Sequence, residues 1–103
     1  MKRIVVIVKP FRAQAVLESI ADLTVGAALI GEAKGYGRQK DRLPLYRGSE
    51  FDHVYLPKIE ITFFVEDELK ETAIERIISS ARTGRIGDGK IFISPVLASF
   101  EYE

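Results

Sequence analysis

Ile59-Glu60-Ile61-Thr62-Phe63-Phe64-Val65, followed by Glu66-Asp67-Glu68 and the run from Leu69 to Ala81, is the stretch on which the fold turns. Ile59, Ile61, Phe63 and Val65 alternate with Glu60, Thr62 and Phe64, the period of a half-buried strand. Three acids then stand where a helix begins, the end at which the macrodipole favours negative charge. Leu69, Ala73, Ile74, Ile77, Ile78 and Ala81 form an apolar stripe at helical spacing. Arg82 and Arg85 close the segment, and Gly84 is placed for a left-handed cap.

A matching unit precedes it. Ile4 to Val8 is an unbroken, β-branched apolar run, which predicts a strand central in a sheet or buried on both faces. Lys9-Pro10 stops it. From Arg12 to Leu23, Ala13, Val16, Leu17, Ile20 and Leu23 make a second helical stripe, with Glu18 and Asp22 outside it. Gly26 breaks the pattern, and Ala27 to Ala33 reads as a strand leading into Gly35. At the far end Ile91-Phe92-Ile93 begins a fourth strand, and Pro95 assigns it to an edge. The order is strand, helix, strand, long loop, strand, helix, strand. Right-handed crossovers then predict an α+β, ferredoxin-like βαββαβ domain over residues 1–103: one antiparallel sheet with two helices on one face. No third helix covers the other face, so self-association is expected.

Between the halves, Gly35 to Lys58 carries no helical or strand period through its middle, and Gly37, Pro44 and Gly48 punctuate it as loop. Connections in compact domains usually run about 4–6 residues, and much longer ones are functional or disordered. From Lys34 to Lys58, Lys34, Arg38, Lys40, Arg42, Arg47 and Lys58 outnumber Asp41, Glu50 and Asp52. A basic, extended loop on a small base reads as a contact arm or a ligand lid, with a tolerated surface insertion as the competing reading.

Composition narrows the chemistry. The 103 residues are 47% apolar and balance 15 Lys+Arg against 15 Asp+Glu, so net charge points to neither nucleic acid nor a membrane surface. No cysteine and one histidine exclude a disulfide framework, a thiolate nucleophile and a histidine-based metal centre. The apolar run after Met1-Lys2-Arg3 is too short for a signal peptide or a membrane span, so a cytoplasmic protein is expected. No nucleophile–base pair or carboxylate dyad is present, and no catalytic residue is assigned.

Thr83-Gly84-Arg85-Ile86-Gly87-Asp88-Gly89-Lys90 joins the second helix to the last strand. Its glycines allow backbone N–H groups to converge on an anion, with Lys90 adding a charge. It precedes a strand, unlike a Walker P-loop, and a plain structural turn is the alternative. With Lys9-Pro10-Phe11, Lys34-Gly35-Tyr36-Gly37-Arg38-Gln39-Lys40, Leu45-Tyr46-Arg47-Gly48-Ser49-Glu50 and Leu56-Pro57-Lys58, this block resembles the PII family of nitrogen-regulatory signal-transduction proteins over essentially the whole chain. The resemblance implies a homotrimer with nucleotide sites between subunits, a protruding T-loop at 37–55 and a B-loop at 82–90. It implies adenine-nucleotide binding (ADP, AMP or ATP) by Gly37, Arg38, Gln39, Thr83, Gly87, Asp88, Gly89 and Lys90. Gln39, Lys40 and Lys58 would take 2-oxoglutarate or another small anion, and Gln39 would meet Mg only through bound ATP. Arg42, Tyr46, Arg47, Ser49 and Phe51 would form the T-loop surface that engages a membrane transporter or a metabolic enzyme.

The chain departs from the family pattern at several of these places. Glu101 and Glu103 stand where family members usually carry two Arg that grip the outer phosphates, and Glu repels what Arg would bind bidentately. Either these acids reach the site, or the segment frays and only the attraction is lost. Leu29 and Thr62 replace the usual Thr and Glu near the adenosine, and Asp41 replaces a Gly. Phe51 stands where some members uridylylate a Tyr, so that modification has no hydroxyl to use. The expected outcome is a non-enzymatic sensor in which ADP, AMP or a small anion outweighs the Mg-ATP and 2-oxoglutarate pair. A trimeric interaction module that has lost effector binding is the alternative.

Overall fold

Strand β1 (Lys2–Val8) is followed by a 3-10 turn at Pro10–Arg12, helix α1 (Ala13–Ile20), strands β2 (Leu29–Gly37) and β3 (Val54–Val65), a 3-10 turn at Asp67–Leu69, helix α2 (Lys70–Ala81) and strand β4 (Lys90–Pro95). The computed structural model describes residues 1–37, 54–84 and 89–102. The strands form one antiparallel sheet in the order β2-β3-β1-β4. This is the ferredoxin-like βαββαβ arrangement. β1 is central, as its unbroken apolar run predicts, and β4 with its terminal Pro95 is an edge.

Pairing register decides which side chains share a face. Ile4 stands opposite Phe63 and Ile93, and Val6 opposite Ile61 and Ile91. Ile4, Val6, Val8, Ile61, Phe63 and Val65 are buried beneath Val16 and Ile20 of α1 and Ala73 and Ile77 of α2, which makes one core between the sheet and both helices. The helices also meet directly. The Arg76 guanidinium donates to Asp22 Oδ1 at 2.6 Å and to the Ser19 carbonyl at 3.2 Å. Ser19 and Ser80 hydroxyls lie 3.3 Å apart in the same seam. On the opposite face nothing among the described residues covers Leu29 and Phe92, which are 62% and 53% exposed.

The elements end where local chemistry makes them end. α1 stops at Ile20, short of Leu23, whose N–H bonds the Ile20 carbonyl in a turn. Gly26 then takes φ +74°, and the Val25 N–H reaches the Phe64 carbonyl at 2.8 Å, turning the chain into β2. β2 and β3 are longer than their sequence patterns suggest: their ladder continues through Lys34↔Pro57 and Gly35↔Leu56 to Gly37↔Val54. β1 pairs with β3 only from Ile59 onward, so the outer part is a two-stranded ribbon standing clear of the sheet. With a neighbour on one side only, Pro57 is tolerated there despite its missing N–H.

At the other end of the sheet, the Met1 ammonium donates to Asp67 Oδ1 at 2.7 Å. The acids Asp67 and Glu68 thus open the turn into α2, as the macrodipole argument expects, and Asp67 also takes a partner from β1's start. That hydrogen bond, with further help from Lys2 and Lys70, lowers the Asp67 pKa below its ordinary value.

Two outcomes test this architecture. Phe63→Ala removes a fully buried ring and is expected to lower unfolding stability by about 3–5 kcal/mol. Ser79→Ala on the exposed side of α2 is expected to change it by less than about 0.5 kcal/mol. Urea titration of the two variants makes the comparison. The second concerns acid. Because the Asp67 pKa is lowered on folding, its contribution is present above the unfolded value and fades as pH falls through the folded one. Asp67→Asn should therefore lower the melting temperature near neutrality and leave it unchanged at pH below both values; equal loss at every pH would remove the ion pair from the account.

Candidate functional site

Of the predicted site residues that are described, the ends of the elements bring Thr83, Gly89 and Lys90 together. α2 runs toward the end of the sheet where β1 finishes at Val8 and β4 begins at Lys90. The helix stops at Ala81 because Arg82 turns extended (ψ 129°), although its N–H still bonds the Ile78 carbonyl at 3.2 Å. Gly84 takes φ +84°. It is therefore a turn residue two positions beyond the helix cap, where the sequence suggested the cap itself. On the return, a side chain at Gly89 would sit 3.4 Å from the Ile7 carbonyl oxygen, so the backbone approaches β1 closely there.

Between the end of α2 and the start of β4 lies a cleft of about 360 Å³. Ile7 and Val8 of β1, Ile77, Ile78 and Ala81 of α2, and Ile91 make its sides apolar, and Arg82, Thr83, Gly84, Gly89 and Lys90 form its mouth. Arg82 and Lys90 are both exposed. An apolar recess with cations at its mouth suits a ligand that joins a flat ring to negative charge. The contribution of Ile77, Ile78 and Ala81 was hidden in the sequence inside an ordinary core stripe. Ile78, left 44% exposed on that stripe, is the residue that marks a wall facing outward.

A second recess lies at the foot of the β2–β3 ribbon, lined by Pro10, Glu32, Lys34, Pro57, Lys58 and Ile59. Lys58 stands opposite Ala33, and its side chain lies over Gly35, where an added Cβ would come within 3.4 Å of Lys58 Cε. In the turn after β1 the Arg12 guanidinium sits 5.4 Å from the Phe11 ring centroid. Gly37 ends β2 opposite Val54. Lys58, Thr83, Gly89 and Lys90 therefore gather at one end of the sheet, with Gly37 at the tip of the ribbon that leaves it. Glu101 does not: β4 carries the chain to the opposite end, where the Val96 N–H bonds the Met1 carbonyl.

Arg38, Gln39, Lys40, Arg42, Tyr46, Arg47, Ser49, Phe51, Gly87, Asp88 and Glu103 lie outside the described residues. Among the described residues no group of three or more His, Cys, Asp or Glu could hold a metal ion. No described helix is long and apolar enough to cross a membrane.

Comparison with known proteins places these features in a family. The family model described as "Nitrogen regulatory protein P-II" matches residues 1–100. The chain is 49% identical over 96 residues to the nitrogen regulatory protein P-II of Azospirillum brasilense, covering 93% of this chain and 86% of that protein. It is 48% identical over 93 residues to the Rhodospirillum rubrum protein of the same name, covering 90% and 83%. To nitrogen regulatory protein P-II 1 of Escherichia coli K12 it is 44% identical over 96 residues, covering 93% and 86%. The long blocks around the ribbon, the Gly-rich turn after α2 and the sheet order thus belong together: the chain is a member of the nitrogen regulatory protein P-II family.

Proposed function

We propose that this P-II family member is a signal-transduction regulator that senses an adenine nucleotide in clefts between the subunits of a homotrimer. It passes the state of that site to a membrane transporter or metabolic enzyme through the loop 37–55, acts in the cytoplasm and catalyses no reaction. The observation that carries the reading is the meeting of Arg82, Thr83, Gly89 and Lys90 at the mouth of an apolar cleft, with Lys58 at the same end of the sheet. An adenine ring suits the apolar walls, and phosphates suit the cations and the backbone N–H groups of the turn. Lys58, with Gln39 and Lys40, is assigned to a small anion such as 2-oxoglutarate, and Mg enters only with ATP. The exposed open face, with Leu29 and Phe92, supplies apolar surface for the trimer.

The altered positions give the response a sign. Glu101 of a neighbouring subunit would set negative charge near the outer phosphates. Each added phosphate then gains less than it does in a site with Arg there. A second reading, an interaction module without effector binding, draws support from Leu29 standing opposite Thr62 in the β2–β3 ladder, where neither side chain supplies the carboxylate that family members use near the adenosine.

Calorimetric titration with ATP, ADP and AMP, with and without Mg and 2-oxoglutarate, separates the readings. A light-scattering mass and a phosphate-release assay on the same samples complete the set. The expected result is a trimer that releases no phosphate, binds ADP or AMP at least as tightly as Mg-ATP and gains little from 2-oxoglutarate. Mg-ATP binding tenfold tighter than ADP, about 1.4 kcal/mol, would restore an ordinary ATP-favouring response. No binding of any nucleotide would leave the interaction module standing.

A further inference from the structure

The recess at the foot of the β2–β3 ribbon lies apart from the cleft beside α2, and the pairing register gives it a side. Side chains alternate between the two faces along a strand. Ile59 packs against the core beneath the helices. Pro57, two residues earlier, therefore shares that helix-side face, and so do Glu32 and Lys34, which stand opposite Ile59 and Pro57. Lys58 and Ala33 belong to the other face, where the Lys58 side chain passes over Gly35. The recess holds about 420 Å³. Pro10, Pro57 and Ile59 give it apolar ground, Glu32 and Lys34 stand on its outer strand, and Ala33 and Lys58 border it from the intervening strand positions.

Glu32 and Lys34 are exposed, and neither has an ion-pair or hydrogen-bond partner among the described residues. Two strand positions apart, their Cα atoms stand about 7 Å from each other. Their side chains thus hold opposite charges side by side above apolar ground. A ligand with a single charge would be attracted by one of them and repelled by the other, whereas a zwitterion satisfies both. Charged residues on an edge strand also guard it against pairing with another chain. That duty needs no apolar recess beside the charges, and here Pro10 supplies part of one from the turn after β1.

We propose that this recess binds a free α-amino acid with an aliphatic side chain. Its carboxylate meets the Lys34 ammonium, its ammonium meets the Glu32 carboxylate, and its side chain lies on Pro10, Pro57 and Ile59. The volume suffices for one such molecule. The occupant touches the turn after β1 and both strands of the ribbon, which have no third strand beside them from Lys58 outward. It therefore braces the ribbon against the body of the domain. Neither a nucleotide nor a second subunit takes part.

Calorimetric titration of the full-length, nucleotide-free protein with L-leucine tests it. A dissociation constant at or below about 1 mM is expected. L-leucine methyl ester, which lacks the carboxylate, and isocaproate, which lacks the ammonium, should each bind at least about tenfold more weakly. Glu32→Gln and Lys34→Met should each weaken leucine by a similar factor without changing the melting temperature of the free protein. Exchanging both charges, Glu32→Lys with Lys34→Glu, should leave leucine bound more tightly than either single change does, since the ligand can then lie in reverse. With leucine bound, the amides of 33–37 and 54–58 should exchange with deuterium at least about threefold more slowly. Absence of leucine binding at millimolar concentration overturns the site. So does equal binding of the ester or of isocaproate, indifference to Glu32→Gln and Lys34→Met, or a charge exchange that binds no better than the single changes. Displacement of leucine by 2-oxoglutarate would place it with the small anion assigned to Lys58 and overturn the helix-side site as well. Leucine binding that leaves the ribbon's exchange unchanged overturns the bracing.

Discussion

Strand β3 is paired on both edges from Ile59 to Thr62, with β2 on one side and β1 on the other, and its Ile61, Phe63 and Val65 sit at the centre of the core. Shifting that register by one residue would exchange those side chains for Glu60, Thr62 and Phe64 and put a carboxylate beneath the helices. The register also sets direction. β3 delivers the chain to the end of the sheet beside Met1, so α2 runs back to the end where β1 stops and β4 begins. The cleft is a product of strand order before it is a product of any particular side chain.

Much of this was legible from side-chain periodicity. The alternation of Ile59 to Val65, the unbroken run of Ile4 to Val8 and the stripes at Val16–Ile20 and Ala73–Ile77 each name the face that is buried, because burial of that face is what forms the element. The boundaries were less legible. The ribbon from Gly35 to Gly37 and from Val54 to Lys58 is held by backbone pairing, so its residues need no apolar alternation and read as loop. Gly84 was recognised as a left-handed position, but the break at Arg82 lies in a backbone angle that an arginine does not advertise.

The candidate site was legible in a different way. The glycines and Lys90 of the segment after α2 suggest an anion cradle by residue type, and a Cβ added at Gly89 would stand 3.4 Å from the Ile7 carbonyl oxygen. The walls of the cleft were not announced, since an isoleucine facing a ligand and one facing the core follow the same helical spacing. Nor could the separation of Glu101 from the cleft be read from a string of letters. It follows from the direction of β4 and from one backbone hydrogen bond between Val96 and Met1.

The ribbon has a mechanical consequence. Its five residue pairs, Ala33↔Lys58 to Gly37↔Val54, have no third strand beside them, so it is an arm that leaves the sheet where β1 ends beside Ile59. At about 3.4 Å per residue the arm is roughly 17 Å long, and a tilt of about 10° at its root swings the tip by about 3 Å. The hinge lies next to Lys58 and Pro10, in the wall of the second recess. A small tilt at that root would thus be magnified along the arm without any pair of the β2–β3 ladder being broken.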